Sequence, residues 1–189
     1  MASSVAADFS ARTSLLRRRV GWLCHLIRFT ALVWIAWGLV RVVLHWNDFA
    51  AVSAAYGRML KLDLSGLPVS HYTAAYALVL LDWAGAALVV VFVWRLFGHY
   101  LAGNIFSLDA VTVMRRLGFA SVASVGLDIL VRPAIAALFT MHLESAHHVL
   151  KGWADPNDLL HLLMGLFVLA LAHIFKTGVE IADDHRQII

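Results

Sequence analysis

Apolar and polar positions alternate on a coarse scale along this chain. Four apolar runs, at roughly 20–45, 72–98, 118–141 and 158–180, are separated by shorter polar stretches. A hydrocarbon core of ~30 Å requires about 20 helical residues, and each run meets that length. Ala, Leu and Val dominate the runs and no period-two alternation is sustained, so the runs predict helices and not strands. Helices also satisfy their own backbone in lipid. The expectation is an all-α integral membrane four-helix bundle, built as one domain over 1–189. Between the first two runs, "DFAAVSAAYGRML" predicts a short amphipathic helix and "SGLP" a turn back towards the membrane. "ADPND" at 154–158 predicts a turn that also caps the fourth run. The stretch "GHYLAGNIFSLDAVTVMRRLG", 98–118, holds a Gly103-Asn104 turn signal, then Ser107 as a helix cap and Asp109 in the first helical turn. With Val111, Met114 and Leu117 as an apolar stripe, it predicts a short cytoplasmic interfacial helix between the second and third spans.

Composition strengthens the membrane reading. The 189 residues are 61% hydrophobic and only 14% charged, where a soluble domain is nearer half and a quarter. The net charge of +3 is too small to point to direct nucleic-acid binding, but its distribution is informative. Arg12, Arg17, Arg18, Arg19, Arg28, Arg95, Arg115, Arg116, Lys176 and Arg186 fall on one side of the predicted membrane, and only Arg58, Lys61 and Lys151 on the other. Basic residues stay cytoplasmic, so both termini are expected there. Arg17 to Arg19 followed by an apolar run, with "VSAA" at 52–55, resembles a signal peptide. The run is too long for one and contains His25, Arg28 and Arg41, which favours an uncleaved first span. Cys24 is the sole cysteine, so no intrachain disulfide can form.

The pattern carried by Phe97, Tyr100, Gly103, Ile105, Phe106, Ser107, Val111, Arg115, Arg116, Leu117 and Gly118 resembles a bacterial family known as domain of unknown function 2975. The ending "LLMGLFVLALAHIFKTGVEIADDHRQII" resembles that family's last span, its Phe-basic-x-Gly step and its acidic tail. The segment "DDHRQ" departs from the Glu- and Asn-rich pattern there. The resemblance covers 72–189, and the first span agrees in position. It implies a small four-span inner-membrane protein. Genes of the family often neighbour a small helix-turn-helix regulator, which implies a regulatory pair, and no enzymatic activity is established for its members. The stretch 98–118 then has two readings: a membrane-surface link, or a docking site for a cytoplasmic partner built on Arg115, Arg116, Asp109 and Phe106.

Charges inside the spans are costly and need a reason. "GLDILVRP" at 126–133 places Asp128 and Arg132 four apart, on one helix face, where they can pair. Pro133 leaves the carbonyl of Ile129 without its usual donor, and Arg132 or a water can satisfy it. Asp82 lies about 10 residues from the outer start of the second span and Arg132 about 9 from the outer end of the third, which at ~1.5 Å per residue matches their depths. Asp82, Asp128 and Arg132, with Arg41 higher on the first span, are therefore candidates for one intramembrane polar network. Such a network either fixes helix register or forms a proton path, ion path or polar ligand pocket.

Ten histidines exceed expectation. In "HLESAHH", His142, Glu144, His147 and His148 present imidazoles and a carboxylate suited to Zn²⁺ or Cu²⁺, against the plainer reading of solvated side chains or a pH sensor. His25 and His173 share an inner depth, and His45 and His161 an outer one, which leaves a haem-binding membrane cytochrome as a rival class. The sequence holds no glycine-rich phosphate loop, nucleophile elbow, CxxC pair or HExxH helix. The expectation is a non-enzymatic regulatory membrane protein that needs no cofactor, contacts lipid and binds a helix-turn-helix regulator. A homo-oligomer is open, and a haem or metal protein and a small transporter or channel subunit are the alternatives.

Overall fold

The computed structural model describes residues 2–105, 107–143 and 155–187, with side chains over 21–105, 107–143 and 155–181. It is all-helical over those residues: α1 (Ala2–Trp46), α2 (Phe49–Leu60), α3 (Val69–Leu101), α4 (Leu108–Thr140) and α5 (Pro156–Gln187). Four segments are long and apolar enough to cross a membrane: Gly21–Trp46, Val69–Leu101, Leu108–Thr140 and Pro156–Ile181. Their outward faces leave Trp22, Phe29 and Trp37 of α1 and Leu163, Phe167 and Ile174 of α5 exposed. Water does not tolerate apolar surface on that scale and hydrocarbon does, as befits a multi-pass membrane protein.

The long helices run antiparallel in chain order. At one end, which we call the α2 end, Trp46 closes α1, Tyr72 opens α3 and Phe139 approaches the end of α4. At the other, the terminal end, Gly21 of α1 lies against Leu101 of α3. There Leu96, Met114, Leu117 and Ala172 join α3, α4 and α5 in a second apolar cluster.

Aromatic packing dominates the α2 end. Trp46 stacks on Tyr76 with ring centroids 5.6 Å apart and an interplanar angle of 8°. The edge of Tyr56 meets Phe139 at 4.7 Å. The Tyr72 hydroxyl donates to the Trp46 carbonyl, one of the acceptors that the end of α1 leaves without an intrahelical partner. The expected amphipathic helix is α2. Asp48 caps it by accepting from the Ala51 N–H at 2.9 Å. Val52 and Leu60 are its buried apolar side chains.

Two features differ from the sequence expectation. First, no separate interfacial helix precedes the third span. Ser107 caps as expected, accepting from the Ala110 N–H at 3.1 Å, but the helix it starts continues unbroken to Thr140. The stripe of Val111, Met114 and Leu117 is buried, and Met114 and Leu117 pack with Leu96 of α3 and Ala172 of α5, so these turns are bundle core and not a surface link. Gly103, at φ 87°, makes the tight turn before them, its N–H donating to the Tyr100 carbonyl.

Second, the four long helices do not close into a ring. α1 packs on α3, α3 on α4 and α4 on α5, while α1 and α5 make no comparable contact among the described residues. The row is bent, and a groove of about 390 Å³ on its concave side is lined from all four helices, from Trp34 of α1 through Val90 and Ser124 to Met164 of α5.

Candidate functional site

Arg132 is the hub of the polar residues within the spans. Its Nε donates to Asp128 Oδ1 at 3.1 Å, and its Nη2 also reaches Asp128 Oδ2. This is the pair expected from the four-residue spacing. The remaining donors go to a different helix: Nη1 to Asp158 Oδ2 at 2.7 Å and Nη2 to Asp158 Oδ1 at 2.8 Å. That bidentate fork matches guanidinium to carboxylate geometry and gives both strength and direction. Arg132 thus uses its donors on two carboxylates and not on the carbonyl of Ile129.

Asp158 is held in place by its own helix start. Asp155 is the cap of α5, accepting from the Asn157 N–H at 2.8 Å, and Pro156 occupies the first helical position, where no N–H is needed. Asp158, two residues on from Pro156, reaches back to accept from the Asp155 N–H at 2.7 Å, a reciprocal capping box. Its side chain is 2% exposed, against 36% for Arg132. One carboxylate therefore caps α5 and anchors it to the last third of α4.

Asp82 on α3 is partly buried and within electrostatic range of Asp128 and Arg132, yet enters no ion pair among the described residues. Arg41 is exposed on α1, which packs mainly on α3, and enters no ion pair with this cluster among the described residues. The network is therefore Asp128, Arg132 and Asp158, which satisfy one another, with Asp82 beside them.

At the terminal end, Asp109, Arg115 and Arg116 are exposed on the first turns of α4, and Phe106 lies outside the described residues. Arg115 faces the groove between α4 and α5. Arg116, about 100° further round the helix, does not line that groove. On the other flank the Arg28 guanidinium sits 3.5 Å from the centroid of the Trp94 ring, a cation–π contact joining α1 to α3. A second tie between these helices is the Trp83 indole N–H, which donates to the Ile35 carbonyl at 3.2 Å.

The histidines are scattered. His25 lies in a groove with Arg28 and Trp94, whereas His173 lines the one between α4 and α5. α1 carries His25 and His45, α5 carries His161 and His173, and the two helices lie apart. Of the proposed metal ligands, Glu144, His147 and His148 lie outside the described residues. His142 is within them, its ring 6.2 Å from that of His71. Among the described residues no three His, Cys, Asp or Glu side chains gather as a metal site would require.

Sequence reasoning missed two contacts between helices. Asp158 was legible only as a cap, because its partner lies 26 positions away. Arg28 was legible only as a basic residue at the membrane edge. Gly118, part of the family pattern, has a clear role: a Cβ there would lie 2.6 Å from Leu169 Cγ and 3.1 Å from the Leu169 backbone N, so only glycine permits this approach of α5 to α4. No curated protein and no solved structure matches the chain. The model of the family described as "Protein of unknown function (DUF2975)" matches residues 18–189, first span included, and the chain belongs to that family.

Proposed function

We propose that this is a non-enzymatic membrane protein that acts by holding a cytoplasmic partner, a helix-turn-helix transcription regulator, at a bacterial inner membrane. In this reading the terminal end faces the cytoplasm. The observation that carries it is the start of α4, where Leu108, Asp109 and Arg116 are exposed together and neither charge enters an ion pair among the described residues. An apolar side chain flanked by free charges of both signs suits a protein surface better than an anionic lipid one, which leaves the acid uncompensated. The basic residues that cluster towards this end support the orientation. The habit of the family's genes to neighbour such a regulator supports the choice of partner.

The test is affinity purification of the full chain in mild detergent, together with a helix-turn-helix regulator of the kind that neighbours the family's genes. The regulator should be retained by the unchanged protein and released by Asp109→Lys with Arg116→Glu, while the variant keeps its helical circular dichroism. If the unchanged protein retains no regulator, the reading fails.

A further inference from the structure

The groove between the start of α4 and the middle third of α5 has two kinds of wall. Its volume is about 470 Å³. Phe119, Leu169 and Ala172 line its apolar part, and Arg115, His173 and Lys176 bring three basic side chains to it. Lys176 shares its charge with Glu180 at 3.4 Å, while Arg115 and His173 enter no ion pair among the described residues. The groove therefore keeps unbalanced positive charge beside an apolar trough. It also lies at the end of a span: Arg115 is near the start of α4, and Lys176 precedes Ile181, where the apolar segment of α5 ends.

We infer that this groove binds an anionic phospholipid, with the phosphodiester held by Arg115 and Lys176 and an acyl chain laid along Phe119 and Leu169. The chemistry selects this occupant. A guanidinium fork matches phosphate oxygens, and Lys adds a point charge. A free phosphate would neutralise the cations and leave the apolar trough uncovered. A zwitterionic lipid would fill the trough and bring its own ammonium to the cations. Basic pockets between spans at the membrane surface are suited to anionic headgroups, at about 1 kcal/mol for each cation. The inference holds on either face of the membrane, so it stands or falls separately from the docking of a regulator. It also separates the two neighbouring arginines: Arg115 belongs to lipid and Arg116 to the exposed face.

The test uses the full chain, delipidated in mild detergent and titrated with phosphatidylglycerol or phosphatidylcholine of identical acyl chains, with bound lipid counted by native mass spectrometry. Phosphatidylglycerol should be retained about thirtyfold more than phosphatidylcholine, the ratio that ~1 kcal/mol for each of the two cations gives. Arg115→Gln and Lys176→Gln, each on the surface, should each lower that ratio, and together bring it to about one. Arg116→Gln removes the same charge one position on and should leave it unchanged. Equal retention of the two lipids by the unchanged protein overturns the inference, as does an equal loss in Arg116→Gln. Displacement of the lipid by millimolar inorganic phosphate would show a bare anion site and overturns it too.

Discussion

Asp158 shows how much one carboxylate can do within a span. It closes the first turn of α5, accepts two hydrogen bonds from Arg132 and is itself buried. Removing one partner of a buried ion pair costs about 3–5 kcal/mol, because the survivor is stranded. Arg132 is 36% exposed and keeps Asp128, so Asp158→Ala should cost less, roughly 2 kcal/mol with the lost cap included. Asp158→Asn, which still accepts hydrogen bonds, should fall between. Asp128→Ala should cost least, since that carboxylate is 35% exposed and adds no cap. Denaturant titration in micelles, followed by circular dichroism, gives the order. An Asp128→Ala loss as large as that of Asp158→Ala would show that the intrahelical pair, and not the link between helices, dominates. The sequence disclosed the intrahelical pair because four-residue spacing is a local signal. The link to Asp158 is non-local, and the matching of depths favoured Asp82 because it counted every span from a common plane. α4 in fact runs two turns past Arg132 towards the α2 end, whereas α5 begins beside it.

Between elements, close approach depends on where side chains are absent. Gly118 meets Leu169, and Gly165 returns the contact from α5, where a Cβ would lie 3.0 Å from Val122 Cγ2 and 3.3 Å from the Val122 backbone N. In lipid, where apolar helices gain nothing by leaving water, such proximity is a main source of association. Gly118→Ala should therefore destabilise by about 1–3 kcal/mol, the range for overpacking. Leu169→Ala should restore only part of this, because the backbone N at 3.1 Å remains. Gly126, on the same helix, has nothing within 4 Å of an added Cβ. Gly126→Ala should be neutral or stabilise by up to about 1 kcal/mol through helix propensity alone. Equal effects of the two substitutions in the same titration would remove the packing argument. Gly118 also marks where the sequence misled: with Arg115 and Arg116 before it, it resembles the boundary of a span. The apolar stripe ahead of it fits a membrane surface as well as a neighbouring helix, and only the packing of Met114 and Leu117 between α3 and α5 decides.

On the scale of the whole molecule, the four spans were legible because bilayer thickness sets a length that a sequence must meet. The observed apolar segments, Gly21–Trp46, Val69–Leu101, Leu108–Thr140 and Pro156–Ile181, overlap every expected one. Their arrangement as an open row was not legible. A helix that is apolar all round does not disclose which face meets protein and which meets lipid, since hydrocarbon covers either. α1 depends on α3 through Trp83 and Arg28, which engage a carbonyl and a ring that no periodicity reveals. The antiparallel order does have one firm consequence. The end of α1, α2, the start of α3 and the end of α4 lie at the α2 end, and the end of α3 and the start of α4 lie at the other. If basic residues govern insertion, the second group is cytoplasmic. This is testable with single cysteines in a Cys24→Ala background, Cys24 being buried at 2% exposure. Arg58→Cys, on exposed α2, should react with a membrane-impermeant maleimide added to intact cells, and removing that arginine can only reinforce the expected orientation. Asn104→Cys, in the exposed turn after α3, should react only once the membrane is permeabilised. The opposite pattern would invert the protein and place the Arg116 face away from any cytoplasmic regulator. Labelling of both from outside would contradict the antiparallel order itself.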